Sequence, residues 1–210
     1  AGSLVSPNFT WEKVDQWNVG LDLGFFANRL DATFDVYRRN TIGMLTSGKP
    51  LPAVLGTAVP RENAADLKTF GWEGIISWRD EIGDFTYNVS FNIADAQSEI
   101  TKFDNPTGDL GNYYVGRKIG EIWGYHASEL FQTEQEIQKH PSQSTIYGGT
   151  WNPGDVKYED ISGDGVISYG SNTLDDHGDL SIIGNNTPRY QYGLTLGGEY
   201  KGFDFNIFFQ

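Results

Sequence analysis

Strict alternation of apolar and polar side chains is the feature that most constrains the fold of this chain. From Arg189 to Gln210 it reads RYQYGLTLGGEYKGFDFNIFFQ, and aromatic or aliphatic residues recur at every second position on both sides of Lys201-Gly202, with a single gap at Gly198. Successive side chains of a strand point to opposite faces, so this segment predicts a hairpin with one apolar and one polar face. A soluble sheet and a membrane barrel share this pattern, but in the barrel the apolar face contacts lipid.

The same alternation predicts three hairpins, over residues 14–42, 67–97 and 189–210. Their turns are expected at 27–28, 80–83 and 201–202. Each strand is about ten residues long, which is the length that a tilted strand needs to cross the apolar core of a bilayer. Two long links, 43–66 and 98–188, alternate with the short turns. Short turns on one side and long loops on the other are typical of outer-membrane barrels, whose long loops are extracellular.

Composition supports a sheet and excludes several other classes of protein. The chain has 26 Gly, 13 Phe, 11 Tyr and 6 Trp against a single Met, and aromatic residues favour strands while glycine suits turns. The net charge of −13 disfavours nucleic acid as a partner, because phosphate binding requires clustered Lys and Arg. Cysteine is absent, so thiol chemistry is excluded. No run of 18 apolar residues occurs, so no transmembrane helix is predicted.

A soluble, secreted β-sandwich that binds glycans and has a calcium-stabilised loop is the main alternative, because a sheet with one solvated face also alternates. Two features favour the barrel instead. The polar faces lack the Lys and Arg that usually coat a solvated sheet, and aromatic residues recur near the strand ends, where a membrane interface would place them. We therefore predict an all-β fold, part of an antiparallel transmembrane β-barrel. The chain is expected to be a piece of a longer protein.

The long excursion at 98–188 carries the clearest motif for a ligand. A short strand is predicted at 119–125 and one or two helical turns near 134–137. Asp160, Ser162 and Asp164 then stand at the first, third and fifth positions of a loop in which Gly165 is sixth and Val166 seventh. This is the spacing of an EF-hand calcium loop, in which alternate oxygens point at one ion and glycine permits the sharp turn.

The loop departs from the EF-hand at its twelfth position, where Ser171 replaces the bidentate glutamate. A carboxylate from farther along would have to complete the shell of a structural Ca²⁺, and Asp175, Asp176 and Asp179 follow within reach. The alternative is a metal-free turn closed by its own Asp and Ser side chains.

Four exposed-looking aromatic residues of the excursion are candidates for substrate binding: Tyr113, Tyr114, Tyr147 and Trp151. Such rings can stack on sugars, although loop aromatics also pack against their own loop. The sequence contains no nucleophile elbow, no zinc-protease helix and no phosphate-binding glycine loop, so no covalent chemistry is predicted. An extracellular glycan-degrading enzyme is the third class of function to be distinguished.

Five segments, in order along the chain, are similar to the C-terminal barrel portion of the SusC/RagA family of TonB-dependent outer-membrane receptors, which is typical of Bacteroidetes. They read NFTWEKVDQWNVGLDLGFFANRLDATFDVYRRNT, NAADLKTFGWEGIISW, YVGRKIGEIWGYHASELFQTEQEI, WNPGDVKYEDISGDGVIS and IIGNNTPRYQYGLTLGGEYKGFDFNIFFQ.

This resemblance implies a transporter in the bacterial outer membrane rather than an enzyme. Such receptors have an N-terminal plug and a 22-stranded barrel in contact with outer-membrane lipid. They import glycans or peptides with energy from the TonB complex, which acts through an N-terminal region absent here, and they work with a SusD-like surface lipoprotein. The resemblance also implies that Asp179 is the acid that completes the Ca²⁺ loop, with residues 168–177 as an insertion.

Overall fold

The computed structural model describes residue 6, residues 9–47 and residues 58–210. These residues divide into two compact units, one of residues 1–102 with 188–210 and one of residues 103–187. The strands and the single helix assigned in the described residues are β1 (Lys13–Phe25), β2 (Leu30–Ser47), β3 (Arg61–Ile82), β4 (Phe85–Lys102), β5 (Glu121–Tyr125), β6 (Ala127–Leu130), α1 (Glu134–Lys139), β7 (Val156–Tyr158), β8 (Leu180–Asn185), β9 (Gln191–Tyr200) and β10 (Phe203–Phe209).

The first unit is a six-stranded sheet in the order β1-β2-β3-β4-β9-β10, and every neighbouring pair is antiparallel. The three predicted hairpins are confirmed as β1–β2, β3–β4 and β9–β10. Between β4 and β9 the chain leaves the sheet for the whole second unit and then returns to pair with β4. Because the strands meander up and down, the short turns share one end of the sheet and the long connections share the other.

Two of the three turns differ slightly from their predicted positions. The first spans residues 26–29, and its Phe26, Ala27 and Asn28 all have positive φ. The second is the two-residue turn Gly83-Asp84, because Ile82 still pairs with Phe85. The third lies at 201–202 as predicted, and both residues have positive φ, which matches the twist of the strands that a two-residue hairpin joins.

The strands next to the long connections are longer than the predicted ten residues. β2 has 18 residues, β3 has 22 and β4 has 18. The connection predicted at 43–66 therefore shortens to 48–60, of which 48–57 lie outside the described residues. The extensions at 43–47 and 61–66 continue the backbone ladder across β-bulges. They lack a clean alternation, because a bulge shifts the side-chain parity.

The second unit is built from two small antiparallel pairs, β5–β8 and β6–β7, and the helix α1. The predicted strand at 119–125 is confirmed from Glu121 onwards, and the predicted helical turns are confirmed as α1. Thr133 caps this helix by accepting a hydrogen bond from the Glu136 backbone N–H, which satisfies one of the free donors of the first turn. The small core of the second unit consists of Leu110, Tyr114, Phe131, Ile146 and Ile167.

Candidate functional site

The six-stranded sheet carries unbroken apolar rows across one face. Three such rows run through all or most of the strands, as cross-strand pairs. They are Phe25-Leu30-Trp78-Val89-Leu196-Ile207, Leu23-Ala32-Ile76-Phe91-Leu194-Phe209 and Leu21-Phe34-Gly74-Ile93-Tyr192. We call this side of the sheet the apolar face.

Many side chains of the apolar face are exposed, although they are large and hydrophobic. Leu21 is 56% exposed, Phe34 49% and Ile76 48%. A soluble sandwich would bury these side chains against a second sheet. A contiguous hydrophobic surface of this extent marks contact with a partner or with a membrane.

Aromatic side chains border the apolar face near its short-turn end. The Trp78 indole N–H donates to the Tyr87 hydroxyl at 3.3 Å, and the rings of Phe85 and Tyr87 stack at 6.0 Å. Phe26 meets Trp78 edge-on at 6.0 Å. Amphipathic rings of this kind collect at the boundary between lipid and water.

The opposite side, which we call the polar face, bonds to itself across the strands. Thr33 donates to Asp22 at 2.8 Å, and the hydroxyls of Ser77 and Ser90 lie 2.8 Å apart. Cross-strand pairs of hydroxyls and acids suit a wall that faces water. The alternation has exceptions, since Ile75 and Phe208 also lie on the polar face and are 48% and 59% exposed.

The apolar face carries a few charged residues, and the charge of one of them, Asp95, is matched. Asp95 pairs with Trp72 in the ladder, and its side chain is only 7% exposed. The Arg189 guanidinium donates to both Asp95 oxygens at 2.5 Å and lies over the Tyr190 ring. A carboxylate at this place requires such a partner, because an unpaired charge in apolar surroundings is costly. This pair was not predicted from the sequence.

The four candidate substrate-binding aromatics have different environments. Tyr113 is half exposed and packs edge-on against Phe103. Tyr114 is buried, and its hydroxyl donates to the Glu121 carboxylate. Burial raises the pKa of Tyr114 to about 12, and the hydrogen bond to Glu121 adds to this increase. Tyr114 is therefore a core residue, and its ring is not presented to a ligand.

The other two candidates, Tyr147 and Trp151, belong to one aromatic cluster with Tyr125 and Tyr158. Ring centroids in this cluster lie 5.4–6.2 Å apart. Tyr147 is 73% exposed and has a φ of 46°. That backbone region is costly for a residue other than glycine and is often found at binding sites. Trp151 lines an open cavity.

The predicted Ca²⁺ loop is held together by hydrogen bonds to its own backbone. Asp160 accepts from the N–H groups of Gly163 at 2.6 Å and Gly165 at 2.8 Å, and these donors hold the pKa of its carboxyl below the usual value. Asp164 accepts from the Val166 N–H at 2.8 Å. The alternative of a turn closed by its own Asp side chains describes these contacts as well as a Ca²⁺ loop does.

Of the three acids considered for completing the loop, Asp179 is the one that bonds to its backbone. It is fully buried and accepts from the N–H groups of Ser162 and Ser168, at 2.9 and 2.8 Å. Asp176 instead accepts from Ser171, in a separate turn. Within residues 9–47 and 58–210, no group of three or more His, Asp or Glu side chains lies close enough to hold a metal ion. Calcium stays a prediction, and no step of the function depends on it.

No helix within the described residues is long and apolar enough to cross a membrane.

Comparison with known proteins gives consistent matches over nearly the whole chain. Residues 1–209 match the family described as TonB dependent receptor-like, beta-barrel. TonB-dependent receptor P3 of Formosa agariphila is 30% identical, over 99% of this chain and 21% of the relative. TonB-dependent receptor SusC of Bacteroides thetaiotaomicron is 31% identical, over 96% of this chain and 19% of the relative.

Solved structures show the same fold. The RagAB peptide transporter superposes with a TM-score of 0.63 at 22% identity, over 96% of this chain and 21% of that chain. The RagAB peptide importer in its open-open state gives a TM-score of 0.63 over 98% of this chain. The chain thus spans about a fifth of the length of these relatives.

Proposed function

The chain belongs to the TonB-dependent receptor β-barrel family and is SusC/RagA-like, and we propose that the complete protein imports oligosaccharides or peptides across the bacterial outer membrane. Proteins of this family are outer-membrane transporters and not enzymes, and the six-stranded sheet of this chain forms part of the barrel wall. The observation that carries the proposal is the six-stranded sheet, with its exposed apolar rows on one face and its hydroxyls, amides and carboxylates on the other.

The two faces assign a role to each side of the wall. Apolar rows in contact with lipid hold the barrel in the membrane, because leaving the membrane would expose their apolar area to water. The polar face lines the lumen, where a hydrated cargo passes. Its side chains contribute hydrogen bonding rather than covalent chemistry.

The proposal also includes a source of energy for transport and a partner protein. No ATP is available at the outer membrane, so uptake against a concentration gradient needs another source of energy. We assign the supply of this energy to the TonB complex. We assign capture of the cargo at the cell surface to a SusD-like lipoprotein. RagAB, which has the same fold, is described as a peptide transporter, and this supports peptide as one class of cargo.

Deletion of the complete gene in its source bacterium tests the proposal. We expect uptake of a fluorescent oligosaccharide or peptide to disappear on deletion, to return with the wild-type gene and to disappear again when TonB is inactivated. The protein should fractionate with the outer membrane. Uptake that survives the loss of TonB, or a soluble receptor, would contradict the proposal.

A further inference from the structure

An open cavity of about 440 Å³ lies within the second unit. Its wall includes Gln138, His140, Ser142, Ser144, Thr150 and Trp151. The volume is in the range of sites that bind small molecules or single units of a polymer. The lining combines one indole ring with several hydroxyl, amide and imidazole groups.

Trp151 is fixed before any ligand arrives. Its indole N–H donates to the Gln143 carbonyl at 2.9 Å, and its ring meets Tyr158 edge-on at 6.1 Å. Gln143 is 4% exposed and is anchored in turn to the backbone of β7, through Val156 and Tyr158. A ring held in this way loses little side-chain entropy when a ligand stacks on it.

A tight turn brings the two sides of the cavity wall together. Gly149 has a φ of 74°, and a β-carbon there would lie 2.6 Å from the Ser144 carbonyl oxygen. Its N–H donates to the Ile146 carbonyl at 3.0 Å. A side chain at position 149 would collide with the Ser144 backbone, so glycine keeps this part of the cavity wall in place.

The chemistry of the wall selects against charged ligands. Among the described residues that line the cavity, none is Lys, Arg, Asp or Glu. A peptide with free termini or charged side chains would find no side chain of opposite charge in this lining. A sugar ring fits, because its C–H face packs on an indole while its hydroxyls donate to and accept from amides and hydroxyls. Ser142 and Ser144, whose hydroxyls lie 2.9 Å apart and are exposed, are suited to that exchange.

We infer that this cavity binds one ring of an uncharged oligosaccharide, with Trp151 as the stacking surface. The inference rests on the proposed transport function and narrows its cargo to neutral glycans.

The test uses the purified full-length receptor in detergent and three neutral hexasaccharides, an α-1,4-glucan, a β-1,3-glucan and a β-1,4-xylan. A hexapeptide with free termini is the fourth probe. Binding is measured by calorimetry and by saturation-transfer NMR. We expect at least one saccharide to bind and the hexapeptide not to bind. Trp151→Ala should raise the saccharide Kd on the order of tenfold, which corresponds to the loss of about one aromatic contact.

Two further variants guard against misfolding. The double change Ser142→Ala with Ser144→Ala leaves the core intact and should weaken binding severalfold. Tyr169→Ala removes an aromatic residue of the same unit that is 52% exposed and does not line the cavity, and it should leave the Kd unchanged.

Failure of the inference and failure of the transport function give different results. If the receptor still supports TonB-dependent uptake but binds only the hexapeptide or none of the saccharides, the inference is wrong while the transport function stands. Saccharide binding that is unchanged in both the Trp151 and the Ser142/Ser144 variants also overturns it, because the ring would then lie elsewhere.

Discussion

Lysine at position 91 should prevent stable insertion of the barrel, whereas lysine at position 92 should not. Phe91 lies on the apolar face, in the row with Ile76 and Leu194, and it is six residues from Phe85 at the short-turn end. Six residues advance about 20 Å along a strand, or about 15 Å along the membrane normal at a tilt of about 40°. This is half of an apolar core about 30 Å thick, so Phe91 lies near the middle of the membrane.

The cost of the charge follows from that depth. A Lys that faces lipid at the midplane of a barrel costs about 2–4 kcal/mol. This free energy lowers the ratio of folded to unfolded receptor by about 30-fold to 1000-fold. Phe91→Lys also loses the contact with the Tyr192 ring, whose centroid lies 6.4 Å away. Asn92 points to the polar face beside Gly193, where a lysine remains in water and the expected cost is near zero.

The assay compares both variants in the full-length receptor reconstituted into lipid vesicles. Folded barrel is measured as the fraction that keeps its compact mobility on unheated gels, and assembly in cells is measured as receptor in the outer membrane. We expect Phe91→Lys to lose most folded receptor and Asn92→Lys to match the wild type. Equal tolerance of both variants would refute the reasoning, because a lysine at position 91 would then lie in water and not in lipid.

Three further predictions concern charges and titrating groups. Arg189→Ala leaves Asp95 unpaired, so we expect a lower unfolding temperature of the receptor. Arg189→Lys should recover part of the loss, and an unchanged unfolding temperature in Arg189→Ala would contradict the pairing. The pKa of Tyr114 is raised to about 12 by burial, so the unfolded chain ionises first as the pH rises. The stability that this tyrosine contributes is then complete below about pH 10 and is lost towards pH 12. Tyr114→Phe should reduce the alkaline loss followed by tyrosinate absorbance and circular dichroism, and an unchanged alkaline transition would show that Tyr114 does not set it. Calorimetric titration with CaCl₂ should show uptake that Asp164→Ala abolishes, and no heat in the wild type would end the calcium hypothesis.

Alternation along the strands was sufficient to predict the hairpins and the apolar face. The apolar face follows directly from parity, because one face of a strand has a strict period of two residues. The pairing of residues across strands depends also on the turns, and the turn between β3 and β4 lies at Gly83-Asp84 and not at 80–83. The turn at 201–202 was also placed correctly, since Lys-Gly interrupts two alternating runs. The β2 and β3 extensions were missed because a bulge near Met44 shifts the parity. The alternation pattern of the sequence does not show where such a bulge occurs.

Contacts between distant residues account for most of what the sequence did not predict in the candidate sites. Asp95 and Arg189 are 94 residues apart, and the one available signal was an acid at an apolar parity position after Ile93. Burial of Tyr114 depends on Glu121 and Trp123, which donate or accept at its hydroxyl. Nothing in the local sequence separates it from the half-exposed Tyr113. The local sequence of a loop does not determine which of its aromatic residues is buried.

The most direct test measures whether lipid or water is in contact with the apolar face. These 210 residues contain no cysteine, so Leu21→Cys and Asp22→Cys in the full-length receptor, freed of any other cysteine, would report on opposite faces through a spin label. In lipid vesicles, we predict that the label at 21 collides with oxygen and is shielded from a water-soluble nickel complex, and that the label at 22 shows the reverse. Equal access of the nickel complex to both labels would contradict the account, because water would then bathe the side of the sheet that we assign to lipid.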